Sequence, residues 1–307
     1  MNKGEIIYLK HEEIDQNKWD DCISNAPNGL IYGYSYYLNH MAENWDGLVL
    51  NDYEAVMPLI WNKKFGIKYL YTPYFISQLG IFGNFPISNQ LTSKFIYSIP
   101  DFFSYADLCL NEQNQIENSI DYSVKRRTNY IIPLQRRHEE IYAEYSKEAK
   151  KNIRQAYKNK LKLGESLPSH EIIKMYSSAY GDKSKINERH YQNFENLIDY
   201  SVKSGRGISV FVKDFEDEIC ASAFFGIDHK RIYYLIGAPT EKGRKLQATS
   251  FMINEIIKRY SGTGLIFDFE GSDLSNVAAF YKKFSPQKKE YFNLIINKLP
   301  LLLKWIK

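Results

Sequence analysis

Cysteine is scarce in this chain. Cys22, Cys109 and Cys220 are far apart among 307 residues. That spacing excludes a Cys-x-x-Cys metal or redox pair and fits a reducing compartment. The six histidines form no His-x-His or His-Glu-x-x-His pattern, so no metal site is expected. No apolar run approaches the roughly 20 residues that cross a bilayer, so no transmembrane segment is expected. Met1–Lys10 mixes polar and apolar residues and does not read as a secretion signal. A cytoplasmic protein is the expectation. No low-complexity linker and no strict repeat interrupts the chain.

What is present is an ordinary folding composition: 44% hydrophobic and 25% charged residues, over a length sufficient for two domains. The net charge of +4 is mildly basic and does not call for a DNA partner. Aromatics reach 15%, led by 25 tyrosines and 18 phenylalanines. Tyrosine can sit half-buried with its hydroxyl paired. A compositional habit explains this enrichment more simply than a tyrosine-lined groove. The C-terminal stretch Leu299–Ile306, with Lys304 and Trp305, reads as a short helix packed on its own domain. An interfacial foot is the alternative, and the segment is short for a strong anchor.

Periodicity predicts strands and helices in mixed order through the first half. The predicted strands are Glu5–Leu9, Gly47–Leu50, Tyr53–Trp61, Ile67–Tyr71 and Phe103–Leu110, with helices at Asp15–Ser24, Tyr34–Glu43 and Leu91–Ile99. A basic helix is predicted from Glu139 to Lys160, with Ile141, Tyr145, Ala149, Ile153 and Ala156 on one face. The second half then shows helices at Ser169–Tyr180 and Glu188–Ser204. Strands follow at Ile208–Lys213, Ile219–Ile227 and Arg231–Gly237, then a long helix, Gly243–Tyr260. The two halves share an element order, which predicts a duplicated chain divided at 1–137 and 138–307, with a ligand cleft between the halves.

The most informative stretch is Leu265–Ser272. An apolar strand ends in two carboxylates, Asp268 and Glu270, before a Gly271-Ser272 turn and a short helix with Phe280, Tyr281 and Phe284. Alternation along a strand puts Asp268 and Glu270 on one face and Phe267 and Phe269 on the other. Ser272 or Asp273 is expected to cap the helix. Carboxylates here can take a proton from an attacking amine or grip an ammonium group. They can equally cap neighbouring backbone. Tyr281 can donate a proton to a leaving group or simply pack beside Phe280.

The order of three antiparallel strands, helix, strand, helix and strand in the second half resembles the GNAT acyltransferase fold. The resemblance implies that the helix after the fourth strand takes a cofactor pyrophosphate at its N-terminus. It also implies that the next strand splays away to leave a slot for the pantetheine arm. On Glu241-Lys-Gly-Arg-Lys-Leu-Gln-Ala-Thr249 it assigns cofactor binding to Gly243, Arg244, Lys245, Ala248 and Thr249. Two departures from the GNAT pattern stand out: Gln247 occupies a glycine position, and Thr249 the last small position. Tyr281-Lys-Lys-Phe-Ser285 resembles the GNAT Tyr-x-x-x-Gly stretch, with Ser285 in place of glycine. That likeness implies Tyr281 as the acid.

Over nearly its whole length the chain also resembles the Fem-type, FemAB-like peptidoglycan bridge-forming aminoacyltransferases. The carrying segments are Ser146–Ala156, Phe267–Ser272, Phe280–Phe284, Asn51–Leu59 and Tyr71–Gly80. The implied fold class is α/β (α+β), with two tandem GNAT-like domains, each a mixed, mostly antiparallel sheet flanked by helices. The implied activity is N-acyl transfer to an amine of a cell-envelope precursor or sugar. Asp268, Glu270 and Tyr281 are then the catalytic candidates. Acetyl-CoA, another acyl-CoA or an aminoacyl-tRNA is the donor substrate, with no tightly bound cofactor. Tyr74, Phe75 and Gln78, in a loop stiffened by Pro73, are candidates for substrate binding. Lys151 and Arg154 of the basic helix are candidates for phosphates of tRNA or of a nucleotide-linked sugar. The competing expectation is an inert GNAT-like module that binds a glycan or protein, which the departures at Gln247 and Ser285 favour.

Overall fold

The protein is described by a computed structural model at residues 4–181, 186–271 and 273–300. The first elements are β1 (Ile6–Leu9), α1 (Gln16–Asn25), α2 (Ser35–Met41), β2 (Asn44–Leu50), β3 (Ala55–Lys64) and β4 (Ile67–Tyr71). They are followed by β5 (Phe82–Gly83), α3 (Asn89–Tyr97), β6 (Phe103–Cys109) and β7 (Tyr122–Pro133). Next come α4 (His138–Glu144), α5 (Lys147–Lys158), β8 (Lys162–Glu165), α6 (Ser169–Tyr180) and α7 (Glu188–Lys203). The chain continues through β9 (Gly207–Lys213), β10 (Ile219–Ile227), β11 (Arg231–Pro239), α8 (Glu241–Leu246) and α9 (Ala248–Tyr260). It closes with β12 (Ile266–Asp268), α10 (Ser275–Lys282) and β13 (Gln287–Asn297).

Two compact units result. One holds the described residues up to 127 and those from 290 onward; the other holds 128–289. In the first, β1, β2, β3 and β4 pair antiparallel in sequence order, β4 pairs parallel with β6, and β6 pairs antiparallel with β13. The last strand therefore returns to the first unit, with Asn293 opposite Cys109 and its side-chain amide bonded to Asp107. Leu48, Met57, Leu59, Phe95, Phe103, Leu108 and Leu294 fill the core. Local chemistry fixes the ends of elements here: the Asp15 carboxylate accepts from the N–H groups of Asn17 and Lys18 and starts α1.

The second unit repeats the pattern. β8, β9, β10 and β11 pair antiparallel, β11 pairs parallel with β12, and β12 pairs antiparallel with the end of β7. Phe225, Phe267, Phe269, Ile256 and Met252 lie in its core. β10 is buried along Cys220–Gly226, and apart from Ser222 its side chains there are apolar or absent.

Several expected elements differ. The basic helix is two helices, because Tyr145 leaves helical geometry and the Ser146 hydroxyl caps Ala149 to start α5. The helix expected over Gly243–Tyr260 is also two, divided at Gln247, whose φ is +65°. The residue in the N-cap position of α10 is Leu274, one past Asp273, and its side chain makes no cap bond. The expected cap at Ser272 lies outside the described residues, as does the C-terminal helix from residue 301.

Candidate active site

The parallel pairing of β11 with β12 covers three pairs: Arg231 with Ile266, Ile232 with Phe267, and Tyr233 with Asp268. β12 then ends while β11 runs on to Pro239. Against β10, Phe225 faces Tyr234 and Phe224 faces Ile236, so Leu235 is an extra residue, a β-bulge. Where the strands part, a cavity of about 500 Å³ opens. Tyr234–Gly237 form one wall, the start of α9 another, and Glu270, Phe280 and Tyr281 a third.

The two carboxylates have separate surroundings. Asp268 is fully enclosed: Oδ2 accepts from Arg231 Nη1 at 2.7 Å, and Oδ1 from Asn129 Nδ2 and the Glu270 N–H at 2.9 Å each. It does not line the cavity. Glu270 does. The strand alternation expected to put both acids on one face fails because β12 ends at Asp268 and Glu270 turns to a φ of +68°. Gly271 follows at +66°, where a Cβ would lie 2.3 Å from the Thr128 carbonyl oxygen. Burial pushes the Glu270 carboxyl well above the ordinary carboxylate range.

Tyr281 is 9% exposed, its ring 4.7 Å from that of Phe269, and it lines the cavity. Burial, and after it the charge of Glu270, raises its phenol. Three residues that the sequence reading passed over join it. Tyr176 and Tyr180, one turn apart on α6, and Tyr234 also line the cavity. Burial raises Tyr234 strongly and Tyr176 to about 12, so these phenols keep their protons at neutral pH. Their i, i+4 spacing was visible, but helical spacing alone does not separate a cavity wall from a core face.

The expected donor loop is mixed in character. Gly243, Arg244, Gln247, Ala248 and Thr249 line the cavity, whereas Lys245 pairs with Glu241 at 3.0 Å on the surface. Gly243 is required by packing: a Cβ there would lie 1.9 Å from the Cys220 carbonyl oxygen. Gln247 lacks a side-chain cap bond, and the first N–H groups of α9 have no acceptor within the helix. Both departures from glycine keep a left-handed backbone, Gln247 at +65° and Ser285 at +51°.

The expected substrate residues lie elsewhere. In the first unit, Tyr74 is exposed, Phe75 has a φ of +63° and accepts from the Tyr37 hydroxyl, and buried Gln78 accepts from the Glu112 N–H at 3.0 Å. Gln78 thus holds backbone. Lys151 and Arg154 stand on the exposed face of α5 and do not line the cavity. Among the described residues, Asp214, Glu216 and Glu218 converge, but Lys242 Nζ sits among them at 2.5–2.7 Å and supplies the cation.

No protein-family description and no curated protein matches the chain. Solved structures do. FemX superposes with a TM-score of 0.69 at 14% identity, covering 99% of this chain and 100% of FemX. A conserved protein of unknown function from Bacteroides thetaiotaomicron gives 0.60 at 8%, covering 92% of this chain and 97% of that one. The C-terminal domain assigned to a lysylphosphatidylglycerol synthetase of Agrobacterium fabrum gives 0.59 at 10%, covering 93% and 92%. At such identities the likeness is one of fold: the chain has a FemAB-like, GNAT-type fold.

Proposed function

We propose that the protein is an N-acyltransferase that joins an acyl or aminoacyl group to an amine of a cell-envelope precursor or sugar. The observation that carries this reading is the cavity at the parting of β11 and β12, which Glu270 and Tyr281 both line. A half-buried carboxyl whose proton affinity is raised is, once ionised, a stronger base than an ordinary carboxylate, which suits general-base work. In the proposed reaction the amine nitrogen attacks the acyl carbonyl carbon, and Glu270 takes the amine proton. The new C–N bond forms, and the C–S bond of a thioester or the C–O bond of an ester breaks. Tyr281 protonates the departing thiolate or alkoxide and recovers its proton from Glu270. In this reading, backbone N–H groups around the Leu235 bulge polarise the carbonyl.

The open start of α9 and Arg244 support a donor bearing phosphate, which acyl-CoA and aminoacyl-tRNA share. The fold neighbour assigned to lysylphosphatidylglycerol synthesis supports an aminoacyl group and an envelope acceptor. Calorimetric titration with CoA and acetyl-CoA tests the donor. Saturable binding lost in Arg244→Ala supports an acyl-CoA enzyme. Absence of CoA binding with salt-sensitive tRNA binding supports an aminoacyl-tRNA enzyme. If neither binds, the donor assignment fails and the inert binding module is the better reading.

A further inference from the structure

The β3–β4 hairpin of the first unit ends in a two-residue turn, Phe65-Gly66, with Lys64 paired to Ile67. Both turn residues have positive φ, 51° and 83°. Asn, Asp or Gly suits the first position of such a turn, whereas a bulky aromatic is strained there. Packing does not compensate, because Phe65 is 80% exposed. Neither turn preference nor burial accounts for phenylalanine at this tip.

The surroundings are cationic and aromatic. Lys63 and Lys64 are exposed, and Lys64 Nζ lies 5.5 Å from the Phe65 ring centre. Lys68 Nζ lies 4.2 Å from the Trp61 ring centre and 5.1 Å from that of Phe102, itself 49% exposed. From Ala55 to Pro100 the sequence carries Lys63, Lys64, Lys68 and Lys94 and no acidic residue. Two acids flank the patch: Glu43 accepts from Asn62 Nδ2 at 2.9 Å, and Asp101, next to Phe102, is paired with Lys298 at 2.7 Å.

We propose that this hairpin tip docks on an anionic lipid surface. Phe65 enters the interfacial layer while Lys63, Lys64 and Lys68 meet lipid phosphates. A nucleic-acid duplex would use the lysines but offers no apolar layer for Phe65. The proposal is independent of the acyl-transfer reading.

The test is co-sedimentation of the full chain with vesicles of phosphatidylcholine alone or of an equimolar mixture with phosphatidylglycerol. The wild type is expected to bind the mixed vesicles, more weakly in high salt, and to ignore the neutral ones. Phe65→Asn suits the turn, so it keeps or raises the melting temperature while lowering the bound-to-free ratio about tenfold. Lys63→Glu with Lys64→Glu lowers it further. Failure of the wild type to bind mixed vesicles overturns the proposal, as does undiminished binding by Phe65→Asn.

Discussion

Asp268 and Arg231 form a buried ion pair at 2.7 Å between β12 and β11, with side-chain exposures of 2% and 6%. Asn129 and the Glu270 N–H complete the coordination of the carboxylate. Asp268 therefore fixes the place where the strands part and points the next acid into the cavity. Asp268→Ala leaves a buried guanidinium without this partner and is expected to destabilise the protein by about 3–5 kcal/mol. Denaturant unfolding checks this. A loss of activity without a loss of stability would return Asp268 to the catalytic candidates.

Glu270 makes the opposite prediction for stability. Its carboxyl proton affinity is raised on folding, so the neutral form is favoured in the folded state. Below the unfolded value, about 4.3, the group is neutral in both states and carries no penalty. As pH rises from there through the folded value, the stability associated with the proton is lost. Glu270→Gln is therefore expected to equal the wild type in acid, exceed it at neutral pH, and slow acyl transfer by about 10²–10⁴. Melting curves and initial rates across pH decide it. Unchanged rates in the folded variant would remove Glu270 as the base.

Tyr281→Phe keeps the ring against Phe269 and removes the hydroxyl. The expected outcome is near-native melting with a fall in kcat and little change in KM. The fall should be larger for donors with poor leaving groups. Single-turnover rates with activated and unactivated esters provide the measurement. Equal effects on both would argue against an acid role.

Gly243 and Arg244 separate packing from binding. Gly243→Ala drives a methyl against the Cys220 carbonyl and is expected to cost about 1–3 kcal/mol of stability. Arg244→Ala should leave stability unchanged and weaken donor binding. Paired unfolding and calorimetry on the two variants distinguish them.

Gln247→Gly tests the left-handed junction between α8 and α9. Glycine adopts this backbone without strain, so stability should rise by up to about 1 kcal/mol, with an unchanged denaturant slope. A decrease would show that the amide side chain, which donates to the Arg244 carbonyl at 3.2 Å, contributes more than the strain removes.

Much of the architecture was legible in the sequence. Ile67–Tyr71, Ser169–Tyr180 and Ile219–Ile227 were predicted with the limits they have in the structure, because their periodicity and flanking turn residues agree. The helix breaks at Ser146 and Gln247 were less visible. A serine cap inside a longer apolar stripe does not interrupt the periodicity, and glutamine gives no sign of a positive φ. Sequence alternation placed Asp268 and Glu270 together, since nothing local marks where β12 stops.

The mixed order of strands and helices, its repetition, an acid at the end of the Leu265 strand with another two residues on, and a tyrosine in the next helix can all be read from the sequence. Those are local properties of spacing and residue type. That Asp268 is tied to Arg231, while Glu270 faces the cavity with Tyr176, Tyr180 and Tyr234, follows from the folded chain. That outcome depends on where two strands cease to pair, and on residues distant in the chain that supply the guanidinium and the phenols.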